Sequence, residues 1–178
     1  MEITLRLAAT KDVPALRELI PMSVRRLCEG YYTATQIESA LVHVFGVDTQ
    51  LIGDGTYFIA ETAEQIVGAG GWSKRKTLYG GDQSKGDTDP LLDPAQDAAR
   101  IRAFYVHPDW ARRGIGSRLM RACEDAARAA GFKRMELGAT LPGEPLYAAM
   151  GFEVKERVDI SMPDGVALPA VMMDKTLN

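Results

Sequence analysis

Apolar and polar residues alternate from Glu2 to Leu7, the two-residue period of a strand with one buried face. The period then lengthens. Leu16, Leu19 and Ile20 fall at helical spacing behind Thr10, which can cap a helix from Lys11 with Pro14 in its first turn. Pro21 is expected to interrupt or kink that helix, with a further turn reaching Cys28. A loop at Gly30-Tyr31-Tyr32 leads to a second helix bearing Ile37, Leu41 and Val44, and both Thr33 to Gln36 and Thr35 to Glu38 have capping-box spacing. Gly53-Asp54-Gly55 reads as a turn, followed by an antiparallel hairpin of strands Thr56–Glu61 and Gln65–Trp72. Lys74–Gln96 is polar and aperiodic, with two prolines, and is expected to be one long, mobile surface loop. It serves either as a variable insertion or as a lid over a substrate.

The pattern sharpens in the second half. Ala98–Val106 is a strand candidate ending at His107-Pro108. Gly114–Ala130 is a helix whose Ile115, Leu119, Cys123, Ala126, Ala127 and Ala130 form one apolar stripe, with Gly131 placed to end it. Arg134–Leu137 is a short strand, and Glu144–Met150 a short helix with Pro145 in its first turn. Phe152–Ile160 and Ala167–Lys175 form a hairpin across Pro163-Asp164-Gly165. The predicted order is β-α-α-β-β-β-α-β-α-β-β, without repeats.

Composition narrows the picture. The 178 residues are 46% hydrophobic, enough for one domain over residues 1–178 with its own core. The net charge is −3 without any basic tract, so nucleic acid is not an expected partner. No apolar run approaches the roughly 20 residues that span a bilayer, so no membrane partner is expected either. Cys28 and Cys123 stand singly, with no CxxC, no Cys/His cluster and no leader. Both read as reduced thiols of a cytoplasmic protein, and no metal site is expected.

The segment from Val106 to Ser117 passes from strand to helix through a turn with Gly114 and Gly116. The first amides of a helix lack internal partners and sit at the positive end of its dipole, where a phosphate satisfies them. The two glycines omit side chains that would obstruct its approach, Ser117 adds a hydroxyl, and Arg112 and Arg113 bring charge to the rim. Leu119 stands where a dinucleotide-binding fingerprint needs its third glycine, and no Gly-Lys-Ser/Thr follows as in a P-loop. Neither nucleotide motif fits.

With these residues in view, the chain resembles the GNAT family of N-acetyltransferases. The resemblance is carried by Thr4–Asp12, Ile66–Gly70, the strand-to-helix turn and Tyr147-Ala-Ala-Met-Gly-Phe152 in that order. It implies an α/β fold of the acyl-CoA N-acyltransferase kind: a strongly bent mixed sheet of about seven strands with helices on both faces. It also implies acetyl-CoA as co-substrate, with backbone groups of Phe104 and Val106 along the pantetheine arm. The amides of Arg112, Arg113, Gly114, Ile115, Gly116 and Ser117 would hold the pyrophosphate, and the Tyr147 hydroxyl would lie near the sulfur. Ala111 and Thr140 depart from the family pattern at positions that often hold Gln or Arg and Asn respectively, and Arg102 and Arg100 stand where many members place a Glu or His.

The implied reaction is direct attack by a primary amine of a small molecule or peptide on the acetyl thioester, in a ternary complex. Val106 would offer its amide to the oxyanion and Tyr147 would act as general acid. Glu61 is the candidate base, with Glu38, His43 or a water chain as alternatives, while His107 is expected only to shape the turn. Tyr31 and Tyr32 are candidate substrate contacts, and Trp72 and Trp110 read as packing residues. Arg102 and Arg100, two residues apart on one strand face, either bind an anionic group of the acceptor or bridge to Asp97 or Glu136. The other class of function compatible with the residues is a non-catalytic CoA-binding sensor or interaction module. Dimers are frequent among similar proteins, so a homodimer is a further expectation.

Overall fold

The computed structural model describes all of residues 1–178. Seven strands form one sheet in the order β1-β2-β3-β4-β5-β7-β6. They are β1 (Thr4–Leu7), β2 (Tyr57–Glu61), β3 (Ile66–Ser73), β4 (Ala99–Val106), β5 (Arg134–Ala139), β6 (Glu153–Ser161) and β7 (Ala167–Thr176). Neighbouring strands are antiparallel except β4 and β5, which are parallel. That pair is the one joined through a helical crossover.

Helices α1 (Val13–Leu27), α2 (Ala34–His43) and α3 (Thr49–Asp54) cover one face. There Leu16, Ile20, Ile37 and Leu51 pack with Tyr57, Ile59, Tyr105 and Leu168 from the sheet. Helices α4 (Ile115–Ala129) and α5 (Glu144–Ala149) cover the other face, where Met120, Cys123, Ala127 and Tyr147 pack with Ile101, Met135, Leu137 and Met173. The stripe of α4 is buried through Ile115, Leu119, Cys123 and Ala127, while Ala130 is exposed at its end. Two bonds, Phe132 N–H to the Ala127 carbonyl and Gly131 N–H to the Arg128 carbonyl, close α4 in a Schellman motif.

Helix α1 runs on through Pro21 without interruption and its last turn reaches Cys28 as expected. The proline forfeits one intrahelical bond, but Leu16, Leu19, Ile20, Ser23 and Val24 form one buried face on both sides of it, and packing outweighs propensity. Asp12 rather than Thr10 serves the start of that segment, its carboxylate accepting from the Ala9 N–H at 2.8 Å. Gly53-Asp54-Gly55 is not an isolated turn but the end of α3, whose N-terminus is capped by the Asp48 carboxylate and which Gly55 closes at φ 71°. Finally, residues 74–96 are fastened down. Arms 74–77 and 89–92 hydrogen-bond to each other through Lys76 N–H to Pro90 O and Leu92 N–H to Lys74 O. The tip docks on the α2–α3 linker through Gly81 N–H to Val44 O and Gln83 to Phe45 O.

Candidate functional site

β4 and β5 pair only at Ala99–Met135 and Arg100–Glu136. Beyond these, β5 remains bonded to β7 through Ala139 while β4 stays with β3 through Val106, so the two strands part. A cleft of about 760 Å³ opens between them and reaches both faces of the sheet, with Val24 and Phe45 on one side and Gly116 and Tyr147 on the other. Its volume is that of a small-molecule site.

A bulge in β4 sets the geometry of this gap. Ala103 adopts φ 55°, and the register with β3 shifts between Ala69 and Gly71. The added residue inverts the alternation of the strand. Arg102 therefore faces the α1–α3 side, Phe104 packs on the α4 side and Tyr105 returns to the first. The Tyr57 hydroxyl donates to the Ala103 carbonyl at 2.8 Å and pins the bulge from within the core. His107 N–H bonds the Val67 carbonyl, and Val106 is the register partner of Gly68. By strand alternation the N–H of Val106 points away from β3 into the gap.

The turn after β4 is built from left-handed residues. Arg112 has φ 65° and Gly114 φ 80°, and the His107 Nδ1 accepts from the Asp109 N–H at 3.1 Å, shaping the approach. None of the amides from Arg112 to Ser117 bonds within the protein, the first such bond being Arg118 N–H to Gly114 O. The residues fit a bound phosphate through this unsatisfied row of donors at a helix N-terminus. The glycines contribute differently from each other. A Cβ on Gly114 would meet nothing within 4 Å, so its requirement is the positive φ. A Cβ on Gly116 would lie 2.7 Å from Leu146, so its absence seats α5 against α4.

α5 brings Tyr147 to the gap. Its ring is held edge-on by Phe104 and Phe152, each centroid 6.2 Å away. The side chain is 9% exposed and its hydroxyl makes no hydrogen bond within the protein. Burial, with Cys123 a lesser contributor, holds this phenol protonated well above the ordinary tyrosine range. Cys28 also lines the cleft, and burial raises its thiol to about 11.

A sequence model of the Acetyltransferase (GNAT) family matches residues 23–152. The chain belongs to the GNAT family. Its fold is that of solved GNAT structures. A GCN5-related N-acetyltransferase from Rhodopseudomonas palustris is 23% identical with a TM-score of 0.73, covering 99% of this chain and 97% of the other. The PaiA N-acetyltransferase of Thermoplasma acidophilum, in complex with coenzyme A, is 15% identical with a TM-score of 0.65, covering 99% of each chain. The yncA protein of Salmonella typhimurium, solved with its cofactor acetyl-CoA, is 17% identical with a TM-score of 0.64, covering 99% of this chain and 94% of the other. At these identities the likeness is one of fold. No curated protein matches the sequence.

The GNAT cleft gathers Phe104, Val106, Arg112, Gly114, Ile115, Gly116, Ser117, Tyr147 and Tyr31, but not every residue singled out in the sequence. Arg113 stacks on Trp110, 4.7 Å from the ring centroid, and is outside the lining. Glu61 is not brought to the cleft. It lies on β2 in a bidentate pair with Arg6 at 2.8 and 3.0 Å, which lowers its pKa. Glu38 pairs with Arg25, and His43 faces Asp164 at 3.6 Å. Tyr32 is also outside the lining, its hydroxyl bridging Pro169 O and Leu141 N–H. Arg100 pairs with Glu136. Arg102 is 3% exposed. It pairs with Asp48 at 2.9 Å and donates to the carbonyls of Thr77 and Gly80, so it supports the wall instead of offering a free cation. The wall itself, Leu78–Gly81, escaped sequence reading because it sits in an aperiodic polar stretch.

Proposed function

We propose that this GNAT protein transfers the acetyl group of acetyl-CoA to a primary amine. The observation carrying the reading is the unsatisfied amide row Arg112–Ser117 at one end of a cleft that also presents the Val106 N–H and the Tyr147 hydroxyl. Coenzyme A or acetyl-CoA accompanies two structures of the same fold, and the amide row supports the pyrophosphate being held here. Phe104 and Val106 then offer backbone groups along the pantetheine arm, and Arg112 adds charge.

In the reaction the amine attacks the thioester carbon, and the oxygen gains charge where a preorganised N–H such as that of Val106 is most effective. Holding both reactants in one cleft removes much of the entropic barrier. Tyr147 supplies a proton to the departing thiolate. The buried phenol is a weaker acid than the thiol, whose pKa is about 8.5, so Tyr147 shares its proton with the sulfur while the C–S bond breaks, and solvent, which takes the proton lost by the nitrogen, restores the phenol.

Calorimetry with acetyl-CoA, CoA, ATP and NAD tests the binding step. Selective binding of the CoA species is expected, followed by amine-dependent release of free thiol. Equal binding of ATP or NAD would overturn the assignment, and CoA binding without turnover of any amine would leave a CoA-binding module.

A further inference from the structure

On the α1–α3 side, the cleft is walled by apolar side chains from three separate segments. α1 and its following loop contribute Val24, Leu27 and Tyr31, the α2–α3 linker contributes Phe45, and the 74–96 excursion contributes Leu78 and Tyr79. Tyr31 and Tyr79 are 54% and 41% exposed, two aromatic faces without a full packing partner at the mouth. Tyr79 reaches across the gap, its Cδ1 3.6 Å from where a Cβ on Gly138 of β5 would lie. This arm is held in place. Arg102 grips the carbonyls on either side of Leu78-Tyr79, at Thr77 and Gly80, and is paired with Asp48, which also takes Lys85.

The charges of the cleft are equally restrictive. No carboxylate and no imidazole line it. Its cations are Arg102, whose charge is paired with Asp48, and Arg112, which belongs to the turn on the opposite face. The remaining titratable groups facing the gap are Cys28, Tyr31, Tyr79, Tyr105 and Tyr147. No amine, carboxylate or imidazole is among them. A second ammonium on the acceptor would therefore find no counter-charge, a carboxylate would find no free cation, and an arriving ammonium would find no side chain to deprotonate it.

We propose that the acceptor is a primary amine on an aromatic or apolar stem, carrying no second charge and entering as the free base, with Tyr79 and Tyr31 selecting the stem. This rests on the acetyl-transfer reading above. The nitrogen lone pair forms the C–N bond, and the C–S bond breaks with its electrons on sulfur. The nitrogen loses one proton to water and the sulfur gains one through Tyr147, giving the amide and CoA thiol.

The test uses the full chain and follows thiol release with aniline, 2-phenylethylamine, putrescine, lysine and glutamate. The two aryl amines should exceed the others in kcat/KM by roughly tenfold or more, the scale set by misplaced polar groups and lost apolar contacts. The kcat/KM for 2-phenylethylamine should rise with pH toward that amine's own pKa, while that for aniline stays flat around neutrality. Tyr79→Ala, at an exposed position, should raise the KM for the aryl amines roughly tenfold and leave the KM for acetyl-CoA unchanged. Preference for putrescine, lysine or glutamate, one pH midpoint common to all acceptors, or an unaltered acceptor KM in Tyr79→Ala would overturn the acceptor class while leaving acetyl transfer standing. Failure to bind acetyl-CoA in calorimetry would remove both.

Discussion

The hydroxyl of Tyr57 donates to the carbonyl of Ala103 at 2.8 Å, and this bond joins the buried core beneath α1 and α3 to the one residue of β4 that leaves extended geometry. Ala103 occupies the left-handed region at φ 55°, which costs a residue with a Cβ about 1–2 kcal/mol. Tyr57 helps to hold it there, and the bulge turns the Val106 N–H toward the gap. Tyr57→Phe would leave a part-buried carbonyl without its donor, and we expect a loss of about 1 kcal/mol in urea unfolding together with a lower kcat. Ala103→Gly should stay within about 1 kcal/mol of the parent, because relief of the positive φ offsets the greater freedom of the unfolded glycine. Ala103→Val should be clearly worse than either. Equal stability of the glycine and valine variants would mean that backbone strain at this position is unimportant.

Tyr147 is held by Phe104 and Phe152 through its ring, while its hydroxyl is free. Removing the oxygen should therefore touch chemistry and spare the fold. Tyr147→Phe is expected to lower kcat toward the lower end of the roughly 10²–10⁴-fold range for general acid–base catalysis, since a thiolate needs its proton less than an alkoxide does. Acetyl-CoA affinity and thermal midpoint should not change. An unchanged kcat would assign the proton to water.

The legible parts of this chain were those with a long, uninterrupted period. The stripe of α4 and the glycines flanking it marked both a helix and the turn of unsatisfied amides that precedes it, because one chemical pattern serves both. Helix α3 is six residues long, too short for a period to emerge, and its cap at Asp48 is visible only once the fold places it. Pro21 left open whether the helix breaks or continues, because its local penalty is weighed against a buried face that packs only once the fold is assembled. The bulge at Ala103 leaves no mark at all in the sequence, since alanine is an ordinary strand residue and the bond that fixes it comes from Tyr57. For the same reason the sequence offered Arg102 either an anionic substrate or Asp97 or Glu136, when its partners lie 54 residues upstream at Asp48 and 22 and 25 residues upstream at Gly80 and Thr77.

The contact between Gly116 and Leu146 links the turn at the start of α4 to the helix that carries Tyr147. A methyl group on Gly116 would approach Leu146 Cδ2 to 2.7 Å, so Gly116→Ala must displace the Leu146 side chain and, where that side chain cannot turn aside, α5 and Tyr147 with it. Overpacking of this kind costs about 1–3 kcal/mol, and kcat should fall because the hydroxyl moves from the gap. Leu146→Ala in the same chain should restore part of kcat, giving a favourable coupling energy in the double-mutant cycle. Gly114→Ala has open space around it but retains the positive φ, so Leu146→Ala should not rescue it. Additive effects for the Gly116 and Leu146 pair would show that the two helices are not coupled through this contact.

Burial at the cleft also predicts how stability responds to alkali. Burial raises the Cys28 thiol from 9.0 to about 11 and the Tyr32 phenol from 10.0 to about 12. Tyr57, Tyr105, Tyr147 and Cys123 shift in the same direction for the same cause. Below pH 9 both the folded and unfolded chains hold these protons, and stability is independent of them. Between the unfolded and folded values the unfolded chain has lost protons that the folded chain keeps, so each group lowers the stability by up to about 1.4 kcal/mol per pH unit. Urea midpoints should therefore hold up to about pH 9 and fall steeply above it. Cys28→Ala should make the fall above pH 9 shallower, and only Cys28→Ala combined with Cys123→Ala should delay its onset toward the tyrosine range, where Tyr32 begins to titrate. The same protonated thiol makes Cys28 a poor nucleophile at neutral pH, so Cys28→Ala should retain kcat and exclude an acetyl-cysteine intermediate. Loss of turnover in Cys28→Ala, with acetyl-CoA affinity intact, would instead require the acetyl group to pass through that thiol.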